Sequence, residues 1–141
     1  MPRDRRAPEG GRLVPSTPSR ADFHAHTSRS DGLLLPAELV AAAAAAGVRT
    51  LAVSDHDTLA GYRELVAPGA APLPRGLAVL PAVEINATAP EIPDLPDDEL
   101  HIVGLGVDPD DDALESLLDR QRGARRRRFG VLPRRELVRL G

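Results

Sequence analysis

The sequence lacks cysteine entirely, and its 141 residues include only three aromatic side chains. The absence of cysteine excludes disulfide bonds and thiolate ligands, so any metal must be held by imidazole and carboxylate groups. With so few rings, the core must be built from alanine, valine, leucine and isoleucine. No apolar run approaches the ~20 residues of a membrane span, and no apolar segment follows the N-terminal arginines as in a secretory signal. We therefore expect a cytoplasmic protein without a membrane partner.

Lysine is also missing, because all 18 basic residues are arginine, and these arginines are unevenly placed. From Glu91 to Asp119 every charged residue apart from His101 is acidic, whereas residues 120–141 carry nine arginines and one glutamate. An arginine-rich segment can bind nucleic acid phosphates. It is more often a solvated helix face, which is the interpretation that we favour here.

The positions of prolines, glycines and apolar runs indicate how the chain is organised. Residues 1–19 carry four prolines and no hydrophobic periodicity, which predicts a disordered leader. Residues 20–141 are predicted to form one α/β unit, with elements in the order β-α-β-α-β-β-α. The first helix should have Pro36 in its opening turn and Gly47 just past its end. Because the strands are continuously apolar rather than alternating, we expect a parallel sheet covered by helices.

Polar side chains concentrate where the predicted strands end. The side chains of Asp22, His24 and His26 are spaced by two residues and should leave the same face of the first strand. In an α/β barrel the carboxyl ends of the strands build the site, so we expect all four strands to contribute there. A single histidine or glutamate is more often a packed or ion-paired residue, but charge of this density is costly to bury unless it is paired or binds metal. The pattern therefore predicts a metal site, formed by residues that include His24, His26, Asp55, His56, Asp57, Glu84 and His101.

Four segments carry a resemblance to a known family. DFHAHTSRSDG, SDHDT, PAVEIN and LHIVGLGVD resemble, in order and spacing, the motifs of the PHP (polymerase and histidinol phosphatase) family, over residues 22 to 112. The resemblance is strongest to small stand-alone phosphoesterases, which act as nucleoside 3′,5′-bisphosphate phosphatases or 5′→3′ exonucleases. It implies a TIM-like (β/α)7 barrel. Residues 20–141 would supply the first four strands with their covering helices, and the C-terminal half would be absent.

The resemblance also implies the ligands of a metal centre. His24 and His26 match the pair that binds a first metal, and Asp31 and His56 match ligands of a second. Glu84 matches the carboxylate that bridges metals, and His101 matches a ligand of a third. The cofactors would be two or three divalent ions, namely Mn²⁺, Zn²⁺, Fe²⁺ or Mg²⁺. Three further aspartates would orient these ligands from behind: Asp22, Asp55 and Asp57.

The implied function is that of a metal-dependent phosphoric ester hydrolase. It would hydrolyse a phosphate ester of a nucleotide or short oligonucleotide by metal-activated hydroxide. The alternative is a truncated, non-catalytic remnant or association module that binds metal weakly, since no histidine follows His101 and such barrels need about 250 residues. We therefore expect little phosphatase activity from the 141 residues alone. Uncovered barrel edges favour self-association, and Gly130 and Pro133 predict a break in the last helix.

Overall fold

The computed structural model describes residues 20–88 and 99–130. The predicted leader, the segment between the third and fourth strands and Pro133 lie outside the described residues. Seven elements follow the predicted order, and their bounds are β1 Ala21–Ala25, α1 Pro36–Ala45, β2 Thr50–Val53, α2 Ala60–Val66, β3 Ala78–Thr88, β4 Glu99–Leu105 and α3 Asp112–Gly130. Among the described residues, no helix combines the length and the apolar character needed to cross a membrane.

Both long helices begin at residues that the sequence marks. Pro36 opens α1, and the Glu38 carboxylate accepts a hydrogen bond from the Leu35 N–H at 2.8 Å. Gly47 has a φ of 85° just past the helix, which a glycine adopts without steric cost. At the start of α3 the Asp111 carboxylate accepts the N–H two residues further along the chain at 2.8 Å. These local hydrogen bonds explain why the helices begin where composition predicts.

The four strands form one curled, half-barrel sheet in the order β1-β2-β3-β4. The strands β1, β2 and β3 are parallel, as predicted. The prediction of an all-parallel sheet is wrong for β4, which pairs antiparallel with β3. Only residues 89–98 separate these two strands, and a parallel crossover needs a dozen or more residues. As a result, the start of β4 lies beside the end of β3.

Two apolar clusters attach the helices to the sheet. The larger one packs β1 and β2 against α1 and α2, and its buried members are Ala25, Val40, Leu51, Val53, Leu65 and Leu77. The smaller one joins α3 to β3 through Leu59, Val83 and Leu118. The nine buried members of these two clusters are all aliphatic, as the shortage of rings predicts.

An ion-pair network attaches α3 to α2. The Glu115 carboxylate accepts hydrogen bonds from Arg63 at 2.6 Å and from Arg122 at 2.9 Å. Arg63 also donates to the Pro109 carbonyl at 2.6 Å, and Arg122 also contacts Asp119. Hydrogen bonds from Arg122 and Arg63 hold the pKa of Glu115 below its usual value. Arg122, which precedes the run of four arginines, therefore takes part in an ion-pair network between two helices.

We expect Glu115→Gln to lower the free energy of unfolding at pH 7 by about 1–2 kcal/mol, because two charge-assisted hydrogen bonds weaken at a partly exposed site. The pKa of Glu115 is lower in the folded than in the unfolded chain. The ionised carboxylate therefore stabilises the fold above the usual glutamate pKa of 4.5, and this contribution is lost as pH falls through the folded-state pKa. Urea titrations at pH 7 and in acid should show a shrinking difference between wild type and variant. A constant difference would contradict the prediction.

Candidate metal centre

Strand β1 delivers two histidines to one end of the sheet. His24 lies in the strand and His26 directly follows it. Their ring centroids are 4.9 Å apart, and both rings reach the carboxylate of Glu84. The predicted common direction of these two histidines is therefore confirmed. The neighbouring Asp22 carboxylate accepts a hydrogen bond from the His24 backbone N–H at 3.2 Å.

The loop after β1 presents Asp31, and buried Asp55 supports this loop from behind. The Asp55 carboxylate accepts hydrogen bonds from the Thr27 N–H at 2.7 Å, the Thr27 hydroxyl at 2.8 Å and the Ser30 hydroxyl at 2.7 Å. Gly32 closes the loop by donating its N–H to the Thr27 carbonyl at 2.9 Å. A β-carbon at position 32 would overlap the backbone on the opposite side of the loop, so the close approach requires glycine.

The segment after β2 holds His56 against β3. The Asp57 N–H donates to the Glu84 carbonyl at 2.9 Å, and the Glu84 N–H donates to the Asp55 carbonyl at 3.2 Å. These two bonds form an isolated parallel bridge between His56 and Glu84. Asp57 itself has a φ of 53°, in the left-handed region that residues with a β-carbon rarely adopt. The His56 Nε2 consequently lies 3.5 Å from a carboxylate oxygen of Asp31 and 3.5 Å from one of Glu84.

The carboxylate of Glu84 lies at the centre of the cluster. Its side chain is only 2% exposed, yet four imidazoles surround it. Three of them approach Oε2 through Nε2 and the fourth approaches Oε1 through Nδ1, at distances of 2.8 Å for His24, 2.9 Å for His26, 3.5 Å for His56 and 2.6 Å for His101. The second carboxylate, Asp31, lies with Oδ1 3.0 Å from the His26 Nδ1.

His101 reaches the cluster because β4 is antiparallel. The strand register pairs His101 with Asn86, two residues past Glu84 and therefore on the same face of the sheet. Our expectation that all four strands contribute at their carboxyl ends is wrong for β4. His101 lies near the amino end of its strand, and antiparallel pairing brings that end to the common edge.

The six side chains form three overlapping groups in which the ligand atoms lie within 4.8 Å of one another. The groups are His24–His26–Glu84, His26–Asp31–His56 and His56–Glu84–His101. Each group combines two imidazoles with one carboxylate, a donor set that suits Zn²⁺, Mn²⁺ or Fe²⁺. His26, His56 and Glu84 each belong to two groups, so cations held by different groups would share ligands.

One buried ring nitrogen tests whether these residues fit a metal. Within the described part of the chain, the His26 Nδ1 is buried and makes no hydrogen bond, although the Asp31 Oδ1 lies 3.0 Å from it. A cation bound between these two ligand atoms would relieve the cost of the buried nitrogen. Ligand atoms around a tetrahedral ion with bonds of about 2.1 Å are separated by about 3.4 Å. The distances between ring nitrogens and carboxylate oxygens here run from 2.6 to 3.5 Å, and all ligand atoms of a group lie within 4.8 Å of one another. The residues present therefore fit a divalent cation.

The electrostatics of the cluster favour the protonation states that metal binding requires. Burial raises the pKa of Glu84, but hydrogen bonds from two imidazoles outweigh it and hold the pKa below its usual value. The pKa of Asp31 is likewise lowered, because attraction to nearby histidines outweighs burial. Burial lowers the pKa of His56 even though both carboxylates oppose the shift. Ionised carboxylates and neutral imidazoles are the forms that coordinate metals.

The three aspartates predicted to orient the ligands contact the backbone or loops. The Asp22 carboxylate accepts a hydrogen bond from the His24 N–H of β1. Asp55 fixes the loop that presents Asp31. Asp57 bonds to the backbone of β3 and so holds the chain beside His56. Their support of the site therefore acts through backbone position.

Sequence reasoning assigned no role to Thr27, Ser30 or Arg122. Thr27 and Ser30 lie inside the quoted motif, where hydroxyl side chains in a tight loop are a signal for local hydrogen bonding. Arg122 donates to the Asp57 carbonyl across 65 residues of sequence. A contact of that separation leaves no local pattern, so the sequence offered no signal for it.

Comparison with known proteins finds curated relatives, although no family model matches the chain. The chain is 36% identical over 118 residues to the 5′–3′ exoribonuclease Rnm of Salmonella typhimurium, an alignment that covers 81% of this chain and 36% of that protein. It is 39% identical over 93 residues to the 3′,5′-nucleoside bisphosphate phosphatase of Chromobacterium violaceum, covering 66% of this chain and 30% of that protein. The chain thus spans about a third of the length of these curated relatives.

Two solved structures share the fold. An amidohydrolase from Chromobacterium violaceum, with bound sulfate and no metal, matches with a TM-score of 0.65 and 36% identity over 78% of this chain and 36% of that one. A protein from Bifidobacterium adolescentis described as a metal-dependent phosphoesterase matches with a TM-score of 0.60 and 31% identity over 77% of this chain and 35% of that one.

Thr27→Val should lower the free energy of unfolding by about 2 kcal/mol. The change preserves shape but leaves an oxygen of the buried Asp55 carboxylate without the Thr27 hydroxyl that now donates to it at 2.8 Å. Thr58→Val is the matched control, since the Thr58 hydroxyl accepts only a longer bond, 3.2 Å, from the Ala60 N–H. Chemical denaturation of both variants should show a clearly smaller loss for Thr58→Val. Equal losses of unfolding free energy in the two variants would show that the Thr27 hydroxyl does not stabilise the buried Asp55 carboxylate.

Proposed function

The chain belongs to the PHP family, and from this premise we propose that it is the metal-binding part of a phosphoesterase that hydrolyses phosphate esters of nucleotides or RNA. The six ligands would be His24, His26, Asp31, His56, Glu84 and His101. The main observation in support of this proposal is that four imidazoles converge on one buried carboxylate, with a second carboxylate beside them. The metal-dependent phosphoesterase among the structural neighbours supports the requirement for metal.

The exposure of the ligands indicates how a substrate would approach. Glu84, His56 and His26 form the floor of the cluster, with side chains 2%, 11% and 20% exposed. The side chains of His24, His101 and Asp31 form its open side. A phosphate group arriving from solvent would therefore meet the cluster from the side of the exposed ligands.

Charge explains why metal must be bound before substrate. Glu84 and Asp31 are held in their ionised forms, and two carboxylates without a cation would repel a phosphate ester. Divalent ions held by the three groups would supply Lewis acidity and a nucleophilic hydroxide near neutral pH. The protein's own part is to favour the neutral form of His56, to keep the two carboxylates ionised and to hold all six groups in position.

The names of the relatives support a nucleotide substrate. One relative is an exoribonuclease and another a nucleoside bisphosphate phosphatase. Both names describe the hydrolysis of a phosphate ester on a nucleotide, so a phosphorylated nucleotide or a short RNA is the proposed substrate. The chain spans about a third of each relative, which favours a second candidate, a metal-binding module that does not turn over substrate by itself.

The loss of metal binding should be larger when the substituted side chain belongs to more of the three ligand groups. Glu84→Gln removes the carboxylate of two groups and should abolish Mn²⁺ or Zn²⁺ binding at both of them, leaving only the group His26–Asp31–His56. Asp31→Asn removes the carboxylate of one group and should weaken binding at part of the site by roughly 10–100-fold. Calorimetric titration and metal analysis of the purified chain would measure both effects.

Asp110→Asn provides the control for these substitutions. Asp110 is an exposed aspartate whose backbone N–H donates to Asp108 at 2.9 Å, outside the three groups. Its replacement should leave metal content unchanged. Unchanged metal content in Glu84→Gln would refute the ligand assignment.

Hydrolysis of a nucleoside 3′,5′-bisphosphate or a short RNA tests the activity itself. With Mn²⁺ present, any release of phosphate or mononucleotide by the chain should be abolished by a chelator and by Glu84→Gln. Metal binding without turnover would favour the metal-binding module over the phosphoesterase. Turnover that survives both the chelator and Glu84→Gln would contradict a metal-dependent reaction at this site.

A further inference from the structure

We propose that Arg122 of α3 is a positioning residue for the metal centre, which it serves by holding the turn at Asp57 and with it the place of His56. This inference rests on the proposed function, because His56 is one of the ligands assigned there. Arg122 is not one of the six ligands, and one of its hydrogen bonds goes to the turn that follows His56.

The guanidinium of Arg122 bridges a helix and a backbone turn. Its Nη1 donates to the Asp57 carbonyl at 2.7 Å, while its Nη2 donates to the Glu115 carboxylate at 2.9 Å. Glu115 is in turn held by Arg63 of α2. The turn is thereby connected to two helices whose positions are set by the packing of the core.

The turn at Asp57 is a conformation that needs such support. Asp57 is 2% exposed and has a φ of 53°, and a residue with a β-carbon keeps this conformation only where its surroundings hold it there. Its N–H is held by Glu84 and its carbonyl by Arg122. A second arginine, Arg125, lies with Nη2 3.0 Å from the Asp57 carboxylate.

Movement of this turn would affect only part of the metal centre. His56 immediately precedes Asp57 and belongs to two of the three ligand groups. The third group, in which Glu84 joins the two histidines of β1, does not contain it. Loss of the Arg122 contact should therefore displace His56 while leaving His24 in place.

Arg63 offers a matched control. Like Arg122, it donates to Glu115 and to a backbone carbonyl, but that carbonyl belongs to Pro109 and not to Asp57. Arg63→Gln and Arg122→Gln should therefore cost similar stability, and only Arg122→Gln should disturb His56. Arg122→Lys keeps the positive charge, but an ammonium group lacks the planar fork that donates to two partners in fixed directions.

The test compares the imidazole rings in the metal-free chain. Long-range ¹H–¹⁵N spectra of the histidine rings, assigned with single His→Gln variants, would be recorded for wild type, Arg122→Gln, Arg122→Lys and Arg63→Gln. We expect both Arg122 variants to shift the His56 signals and to leave those of His24 near their wild-type positions. Arg63→Gln should leave both sets unchanged. If Arg122→Gln does not fold, Arg122→Lys decides the comparison.

The proposal is overturned if the Arg122 variants leave the His56 signals unchanged, or if Arg63→Gln shifts them equally. A parallel Mn²⁺ titration should show about tenfold weaker binding at part of the site in Arg122→Lys and wild-type binding in Arg63→Gln. Failure of the wild-type chain to bind Mn²⁺ would contradict the proposed function, and the ring spectra would still decide the positioning role of Arg122.

Discussion

The buried carboxylate of Glu84 is the group on which the site and the surrounding sheet depend. An ionised carboxylate at 2% exposure is costly unless opposite charge, hydrogen bonds or a cation compensate it. Four imidazoles supply these contacts, and they come from β1, the turn after β2 and β4. The strand order and the direction of β4 are therefore what bring the compensation to Glu84.

The surroundings of the cluster are arranged in support of this contact. Buried Asp55 holds the loop that carries Asp31, and the bridge between the Asp55–Asp57 segment and β3 places His56 beside Glu84. Helix α3 then reaches the same segment through arginine. Because these supports are hydrogen bonds and ion pairs within the chain itself, the ligands are pre-positioned before any metal binds.

Much of this arrangement could be predicted because its signals are local. Pro36 and Gly47 mark the ends of α1 through backbone preferences that act within a few residues. The spacing of His24 and His26 places both rings on one face of a strand by the two-residue period alone. The direction of β4 could not be predicted from its apolar composition, since buried parallel and antiparallel strands can share that composition. The short connection of residues 89–98 was the signal that was overlooked.

The sequence by itself determined the types of ligand, the absence of thiolates and the helix boundaries, and its resemblance to a known family indicated the six side chains that converge. Only the tertiary structure decided that three ligand groups overlap, that Asp55 supports a loop, and that Arg122 holds the turn beside His56. The physical reason is the separation along the chain of the residues that interact. Capping, periodicity and donor chemistry act between neighbours in the chain, whereas the contacts around Glu84 and Asp57 join residues up to 65 positions apart.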